Sequence, residues 1–201
     1  MHISEGVLSG PVLLAGGVLA TAGTAVGLKN LDYDRIAHVG ILSSAFFIAS
    51  LIHVNVGPAS VHLILNGIVG LLLGWAAIPA ILVALVLQCL FFQYGGLTTL
   101  GVNTIVMALP AVLCYHFLGP LVRREGSVAT TAAFATGSGS VLLSSLLLGI
   151  SLLFTEESFL EVVGLILAAN LPVMVIEGIV TVFCVAFLKK VHPVMLPGYR
   201  E

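Results

Sequence analysis

The first two residues, Met1 and His2, carry a set of nitrogen atoms that can chelate a metal ion. A free α-amine, the deprotonated amide nitrogen of His2 and its imidazole Nδ1 can close fused five- and six-membered rings around one ion. Three planar nitrogen donors suit the square-planar or tetragonal sites that Ni(II) and Cu(II) prefer, and Co(II) can bind in such a site as well. Such a site needs a fourth donor. The alternative is that His2 is only an exposed polar residue near a terminus.

The candidate for the fourth donor is His62, in the apolar segment GPASVHLILNGIVGLLLG. An ionisable side chain inside a membrane helix is by default a functional candidate. On a 3.6-residue period, His62, Asn66 and Gly70 share one helix face. We therefore expect Asn66 to orient the imidazole or a neighbouring carbonyl group. An interhelical hydrogen bond is the alternative role for His62.

Two polar residues near His62 are candidates for supporting the site or the ion's path. His53 lies near the end of the preceding apolar segment, and we interpret it first as a structural or supporting residue and second as a ligand. Ser60 stands two residues before His62. Near a helix N-terminus, a serine suits an N-cap as well as support of the metal site.

Two further candidates lie in later apolar segments. Glu177 is the only carboxylate well inside an apolar span, and it is costly there unless paired, hydrogen-bonded or protonated. A hydrogen bond to a neighbouring helix is favoured for it over a contact with the metal path. Asn103 follows a glycine-rich loop, YGGLTTLG at residues 94–101, which makes a poor continuous helix. Residues that could brace this loop over the metal site are Gln88, Gln93, Thr98, Thr99 and Asn103.

The composition identifies the solvent around these residues as mostly lipid. Of 201 residues, 59% are hydrophobic and only 8% are charged, against roughly 25% charged in a soluble domain. The mean hydropathy is +1.19. So few basic residues, seven in all, argue against nucleic-acid binding, which requires a basic face. The three cysteines lie in apolar runs and suggest neither a disulfide framework nor a CxxC site.

Apolar runs of about 20 residues predict an all-α, polytopic membrane protein with about seven transmembrane helices in a single integral membrane domain, residues 1–201. The second and third runs are predicted to form a tight helical hairpin, because Gly57 and Pro58 suit a helix start. The predicted spans cover residues 7–28, 36–56, 58–74, 76–94, 100–118, 130–154 and 160–188.

The basic residues predict the orientation of these spans. With seven spans and an external N-terminus, all seven Lys and Arg residues fall in cytoplasmic segments, as the positive-inside rule requires. The N-terminus is therefore predicted to lie outside and the C-terminus in the cytoplasm. The basic residues are Lys29, Arg35, Arg123, Arg124, Lys189, Lys190 and Arg200.

Four blocks of the sequence, in this order along the chain, resemble the CbiM/NikM family of substrate-specific membrane subunits of energy-coupling-factor transporters for cobalt and nickel. They are MHISEG at the start, SLIHVNVGPASVHLILNGIVGLLLG, LQCLFFQYGGLTTLGVNT and NLPVMVIEGIVT. In that family the metal is bound near the outer face by the N-terminal amine, the amide and imidazole of the second residue, and a histidine of the S.HL block. The resemblance implies that Met1, His2 and His62 are the ligands here.

The resemblance also implies a function and partners. The chain would be the non-catalytic, substrate-binding component of an ATP-driven importer of Co(II) or Ni(II) in the prokaryotic cytoplasmic (inner) membrane. The ion is its transported ligand, and no cofactor is expected. Its partners would be a transmembrane coupling subunit, cytoplasmic ATPase subunits and, optionally, a small auxiliary membrane subunit. Cobalamin biosynthesis is the destination expected for cobalt.

Two other functions fit the sequence less well. An ion-driven metal permease would carry HxxxxDH, which is missing, and one buried carboxylate offers little for ion coupling. An intramembrane hydrolase would need HExxH, GxSxG or a pair of buried acids, none of which is present. The phosphate-binding motif GxxxxGK[ST] is also missing, so ATP hydrolysis is expected in partner subunits.

Overall fold

A computed structural model describes residues 2–56 and 59–196, and for residues 53–56 and 59–61 it describes the backbone alone. Met1 lies outside the described residues, as do the side chains of His53 and Ser60. The predicted roles of these three residues therefore stay predictions.

The described chain folds into seven α-helices, several short 3-10 turns and one two-stranded β-hairpin. The helices are α1 (Gly10–Lys29), α2 (Ile36–Ala49), α3 (Asn66–Leu73), α4 (Ala77–Phe92), α5 (Leu100–Val122), α6 (Gly126–Leu153) and α7 (Leu160–Val191). The strands are β1 (His53–Val56) and β2 (Ala59–His62), which pair antiparallel with His53 opposite His62.

Five helical segments in the described part of the chain are long and apolar enough to cross a membrane, rather than the predicted seven. One of them, Asn66–Phe92, contains both α3 and α4. The fourteen residues of α2 rise only about 21 Å, which is short of the roughly 30 Å hydrocarbon core. The five segments are Gly10–Lys29, Asn66–Phe92, Leu100–Val122, Gly126–Leu153 and Glu157–Val191.

The predicted helical hairpin of spans 36–56 and 58–74 is wrong. Helix α2 ends at Ala49, and the chain then forms the β-hairpin instead of more helix. The segments HVNV and ASVH contain β-branched valines, which favour strands. His62 therefore ends a strand and does not share a helix face with Asn66 and Gly70, as the helical period predicted.

The chain reverses direction between α3 and α4. Gly70 of α3 lies against Ala111, and Gly74 lies against Tyr115, so α3 runs parallel to α5. Helix α4 runs the opposite way, because its start contacts Gly27 near the end of α1 and its last turns approach the N-terminal segment. The turn falls at Gly74, whose φ of +56° is left-handed and favours glycine. Asn66–Phe92 is thus two antiparallel helices.

The two ends of the helix bundle differ in charge. One end, called the histidine end, holds His2, the start of α5 and the α6–α7 connection, where Ser9 N–H donates to Thr155 Oγ1. The last turns of α1, α5 and α7 lie at the other end, where Lys189 Nζ donates to the carbonyl of Arg124. The basic residues described there are Lys29, Arg35, Arg123, Arg124, Lys189 and Lys190.

Candidate metal centre

The N-terminal segment is fixed at Ile3 by side chains at the start of α5. The Ile3 N–H donates to Asn103 Oδ1 at 2.9 Å, and the Ile3 carbonyl accepts from Asn103 Nδ2 at 3.0 Å and from Thr99 Oγ1 at 2.8 Å. Asn103 and Thr99 are buried, as is the Ile3 side chain. Asn103 therefore holds the residue after His2 as a neighbouring strand would. Its predicted role, bracing the glycine-rich loop over the metal site, stays a prediction.

The glycine-rich loop interrupts the helices as predicted, since α4 ends at Phe92 and α5 begins at Leu100. It covers the N-terminal segment closely. Gly95 has a φ of +76°, and a Cβ there would lie 2.8 Å from Asn103 Nδ2. The Thr98 N–H donates to Glu5 Oε1 at 3.2 Å. The loop and the first residues are thus packed as one unit.

The His2 imidazole is held in one tautomer by Gln88. His2 Nε2 lies 2.8 Å from Gln88 Oε1, and Gln88 Nε2 lies 2.9 Å from Ser50 Oγ. The Ser50 hydroxyl already donates to the Phe47 carbonyl, so it accepts from the Gln88 amide, which fixes the end of the amide that faces His2. A carbonyl oxygen can only accept a hydrogen bond, so Nε2 carries the proton. The lone pair is then on Nδ1, the nitrogen that the chelate with the backbone requires.

The surroundings of His2 also favour an uncharged ring. Burial lowers the pKa of the His2 imidazole from 6.5 to about 3, against the opposing effect of the hydrogen bond with Gln88. A neutral imidazole is the form that binds metal. At neutral pH, His2 is therefore ready to act as a nitrogen ligand.

The second histidine, His62, lies beside His2. Its Nδ1 is 3.0 Å from the carbonyl oxygen of Leu63, so Nδ1 carries the proton and the lone pair is on Nε2. The ring centroids of His2 and His62 are 5.6 Å apart, with 31° between the planes. Two imidazoles bound to one ion at about 2.0–2.1 Å have centroids roughly 4.5–6.5 Å apart. The two rings are thus near enough to share an ion.

Two other predicted residues have clear roles in packing. Asn66 Nδ2 donates to the Met107 carbonyl and to Ser144 Oγ, both at 3.0 Å, so Asn66 joins α3 to α5 and α6. The predicted role of Asn66, orienting the imidazole or a neighbouring carbonyl group of the metal site, stays a prediction. Glu177 is fully buried, and its Oε1 accepts from the backbone of Ile64 and Leu65. Glu177 is therefore hydrogen-bonded, as the sequence predicted. Its partners lie in the loop before α3 and not in a neighbouring helix.

A cavity of about 460 Å³ opens beside the two histidines. Its wall is mostly apolar and is formed by the N-terminal segment, α6 and α7. Both imidazoles line this cavity. Besides His2 and His62, its lining includes Val7, Leu148, Phe159 and Asn170.

The sequence pattern does not predict a contact of Gln88 or Ser50 with the candidate ligands. It indicates Gln88 only as a brace for the glycine-rich loop, yet Gln88 is fully buried and contacts His2 directly. The available signal was an amide inside the otherwise apolar run AIPAILVALVLQCLFF. A buried amide needs hydrogen-bond partners, but the run gives no indication that the partner would be the second residue of the chain.

A comparison with known proteins shows to which family this chain belongs. Residues 2–195 match the family model CbiM, described as the cobalt uptake substrate-specific transmembrane region. The chain belongs to the CbiM family. It is therefore a multi-pass membrane component of cobalt and nickel uptake, and the resemblance seen in the sequence is confirmed.

Individual relatives agree with membership of the CbiM family. The chain is 43% identical over 199 residues to a putative metal transport protein of Haemophilus influenzae, covering 96% of this chain and 95% of that one. It is 31% identical over 230 residues to the fused nickel transport protein NikMN of Rhodobacter capsulatus, covering 100% of this chain and 65% of that one. A crystal structure of a truncated transition metal transporter has the same fold, with a TM-score of 0.75 at 23% identity over 96% of this chain and 100% of that chain.

Proposed function

We propose that this chain captures Co(II) or Ni(II) at the histidine end and delivers the ion to an ATP-driven energy-coupling-factor transporter. The observation that carries the proposal is the pairing of His2 and His62. Their ring centroids are 5.6 Å apart, and hydrogen bonds to Gln88 and Leu63 leave the lone pairs on His2 Nδ1 and His62 Nε2.

The proposed ligands are four nitrogens: the Met1 amine, the His2 amide, His2 Nδ1 and His62 Nε2. The fixed position of Ile3 supports this set, because it limits how far the residue before it can move. A deprotonated amide and two neutral imidazoles suit a tetragonal nitrogen site for Ni(II) or Co(II). They also avoid placing a cage of carboxylates in an apolar environment, which would be costly.

We propose that the histidine end faces outward, with an external N-terminus and a cytoplasmic C-terminus. The six described basic residues at the opposite end support this orientation through the positive-inside rule. The reversal at Gly74 supports seven helices that alternate in direction, of which α2 and the eight residues of α3 are shorter than the hydrocarbon core. The proposed location is the cytoplasmic (inner) membrane of a prokaryote.

The proposed partners are a transmembrane coupling subunit, cytoplasmic ATPases and, optionally, a small auxiliary membrane subunit. The fused NikMN relative supports the general idea of a joined assembly, because this chain matches only 65% of its length. A phosphate-binding motif for ATP is missing from the sequence. For cobalt, the proposed destination of the ion is cobalamin biosynthesis.

An uptake assay tests the proposal. Cells without their own cobalt and nickel importers would produce the coupling and ATPase subunits with or without this chain. We expect accumulation of labelled Co(II) or Ni(II) only when the chain is present. An inactive ATPase variant should abolish accumulation while leaving the purified chain able to bind metal. Equal accumulation without the chain would contradict the proposed function.

The affinity for metal should rise with pH between about pH 5 and pH 8. The His2 imidazole, whose pKa burial lowers to about 3, stays neutral throughout this range and releases no proton on binding. The released protons include those of the α-amine, which ordinarily titrates at about 7.7–8.0, and of the His2 amide. Below the pKa of the amine, these two protons should together lower the affinity by about 100-fold per pH unit.

Calorimetric titration of the purified protein with Ni(II) checks this dependence. Two buffers with different ionisation enthalpies would give the number of protons released per ion. An affinity that stays constant from pH 8 to pH 5, or binding without proton release, would contradict a ligand set that includes the deprotonated amide.

A further inference from the structure

The segment between His62 and α3 has a backbone that needs support. It leaves β2 at His62 and passes through Leu65, whose φ of +59° is in the left-handed region. A branched or bulky residue keeps this conformation only where its surroundings enforce it. Residues 63–65, called here the His62 loop, therefore require contacts from elsewhere in the fold.

Glu177 supplies these contacts. Its Oε1 accepts from the N–H of Ile64 at 2.5 Å and from the N–H of Leu65 at 2.9 Å. Glu177 is fully buried in α7, 112 to 113 positions away along the chain. Both backbone N–H groups are thereby paired inside the protein, where an unpaired donor is costly. Water cannot easily replace these hydrogen bonds inside a membrane protein.

The part of α7 that carries the Glu177 side chain is held in place by α6. Helices α6 and α7 approach closely at this level, where a Cβ on Gly137 would clash with the backbone carbonyl of Glu177. One turn before Glu177, Ser138 Oγ donates to the carbonyl of Met174 at 2.7 Å. The backbone of α7 at Glu177 is therefore held against α6, so the side chain can act as a rigid support.

The orientation of the His62 ring depends on the same loop. His62 Nδ1 donates to the carbonyl of Leu63, the first residue of the His62 loop. This bond determines that the lone pair is on Nε2. Contacts thus lead from Glu177 to the N–H groups of Ile64 and Leu65, through one residue of backbone to Leu63, and from Leu63 to the imidazole.

We propose that Glu177 is a positioning residue for His62, holding the fourth metal ligand through the His62 loop. The inference rests on the proposed function, since it assumes that His62 binds the ion. It assigns Glu177 no contact with the metal. Loss of the acceptor should therefore weaken binding only to the extent that His62 contributes to it.

The test compares Glu177→Leu with Glu177→Gln in the purified full-length chain. Leucine removes the acceptor, and we expect Ni(II) to bind about 10–100-fold more weakly, as for other partners that orient a ligand. The ligand-field spectrum should shift toward that of His62→Ala. Glutamine keeps a carbonyl oxygen at the Oε1 position. Its amide NH2 group replaces Oε2, which has no hydrogen-bond partner among the described residues. We expect its affinity to stay within about threefold of the wild-type value.

Thr181→Val is the matched control. Thr181 lies one turn beyond Glu177 on α7, is fully buried, and its Oγ1 has no hydrogen-bond partner in the described parts of the chain. Valine has nearly the same shape, so this variant changes a buried polar group of α7 without touching the His62 loop. Its affinity and spectrum should match those of the wild type.

A double variant separates positioning from a general structural effect. In the His62→Ala background, Glu177→Leu should cost less than about threefold in affinity, because the ligand it positions is already gone. Additive losses would overturn the proposal, as would wild-type binding by Glu177→Leu. If Glu177→Leu does not fold, Glu177→Asp replaces it in the test, because its side chain is one methylene shorter and moves the acceptor oxygen away from the His62 loop. A partial loss that disappears in the His62→Ala background is then expected, and wild-type affinity would overturn the proposal.

The same measurements distinguish this inference from the proposed function. If His2→Ala and His62→Ala both bind Ni(II) as the wild type does, the proposed ligand set fails and the inference fails with it. If these two variants lose binding while Glu177→Leu keeps it, only the positioning role of Glu177 is wrong.

Discussion

Blocking the α-amine of Met1 should reduce Ni(II) and Co(II) binding below the detection limit of calorimetry. The amine is one of four proposed donors and closes the first chelate ring, so its loss also removes the anchor that makes deprotonation of the His2 amide favourable. We expect the effect to exceed the roughly 10–100-fold that loss of an orienting partner costs. Enzymatic acetylation and an N-terminal extension both convert the amine into an amide.

The length of this extension matters. One added residue would make His2 the third residue of the chain, and an amine, two amides and an imidazole would then form a new chelate. An extension of four residues avoids this outcome. The same four residues added at the C-terminus are the matched control, and they should leave binding unchanged. Wild-type affinity in the protein extended at its N-terminus would rule out the amine as a ligand.

Replacing His2 with alanine should have the second-largest effect, again well beyond the roughly 10–100-fold cost of losing an orienting partner. The substitution removes Nδ1 and with it the second chelate ring. The fold should survive, because the bonds that fix the N-terminal segment use the backbone of Ile3 and the side chains of Thr99 and Asn103. Thermal unfolding in detergent should therefore remain close to that of the wild type.

His192→Ala is the matched histidine control for this substitution. His192 is exposed and follows α7 at the end of the bundle opposite His2. Metal titrations of the two variants, followed by ligand-field absorption, should show loss only for His2→Ala. Equal affinity of the two variants would remove His2 from the proposed ligand set.

Much of the fold was predictable from hydropathy. Predicted spans 7–28, 76–94, 100–118, 130–154 and 160–188 overlap α1, α4, α5, α6 and α7. Long apolar helices are readily detected because the lipid core requires internally satisfied backbone hydrogen bonds over about 20 residues. The error at 36–74 has the same origin. Hydropathy reports that a segment is apolar, but it cannot distinguish a buried strand from a buried helix.

The candidate metal centre was likewise predictable only in part. The chelating potential of Met1 and His2 depends on atoms that are adjacent in the covalent chain, so it can be read from the first two letters of the sequence. The partnership of His2 with Gln88 joins residues 86 positions apart, and that of Glu177 with Ile64 joins residues 113 apart. Local periodicity carries no information about either pair.

By itself, the sequence determined the membrane class, the long helices and membership of the CbiM family, and it supplied the proposed donor types. The tertiary structure decided which nitrogen of each histidine carries the lone pair, that His62 ends a strand, and that Asn66 joins α3 to α5 and α6. The physical reason is the range of the interactions. Chelate rings and hydropathy act over neighbouring atoms and single segments, whereas tautomers and loop positions depend on hydrogen bonds between distant helices.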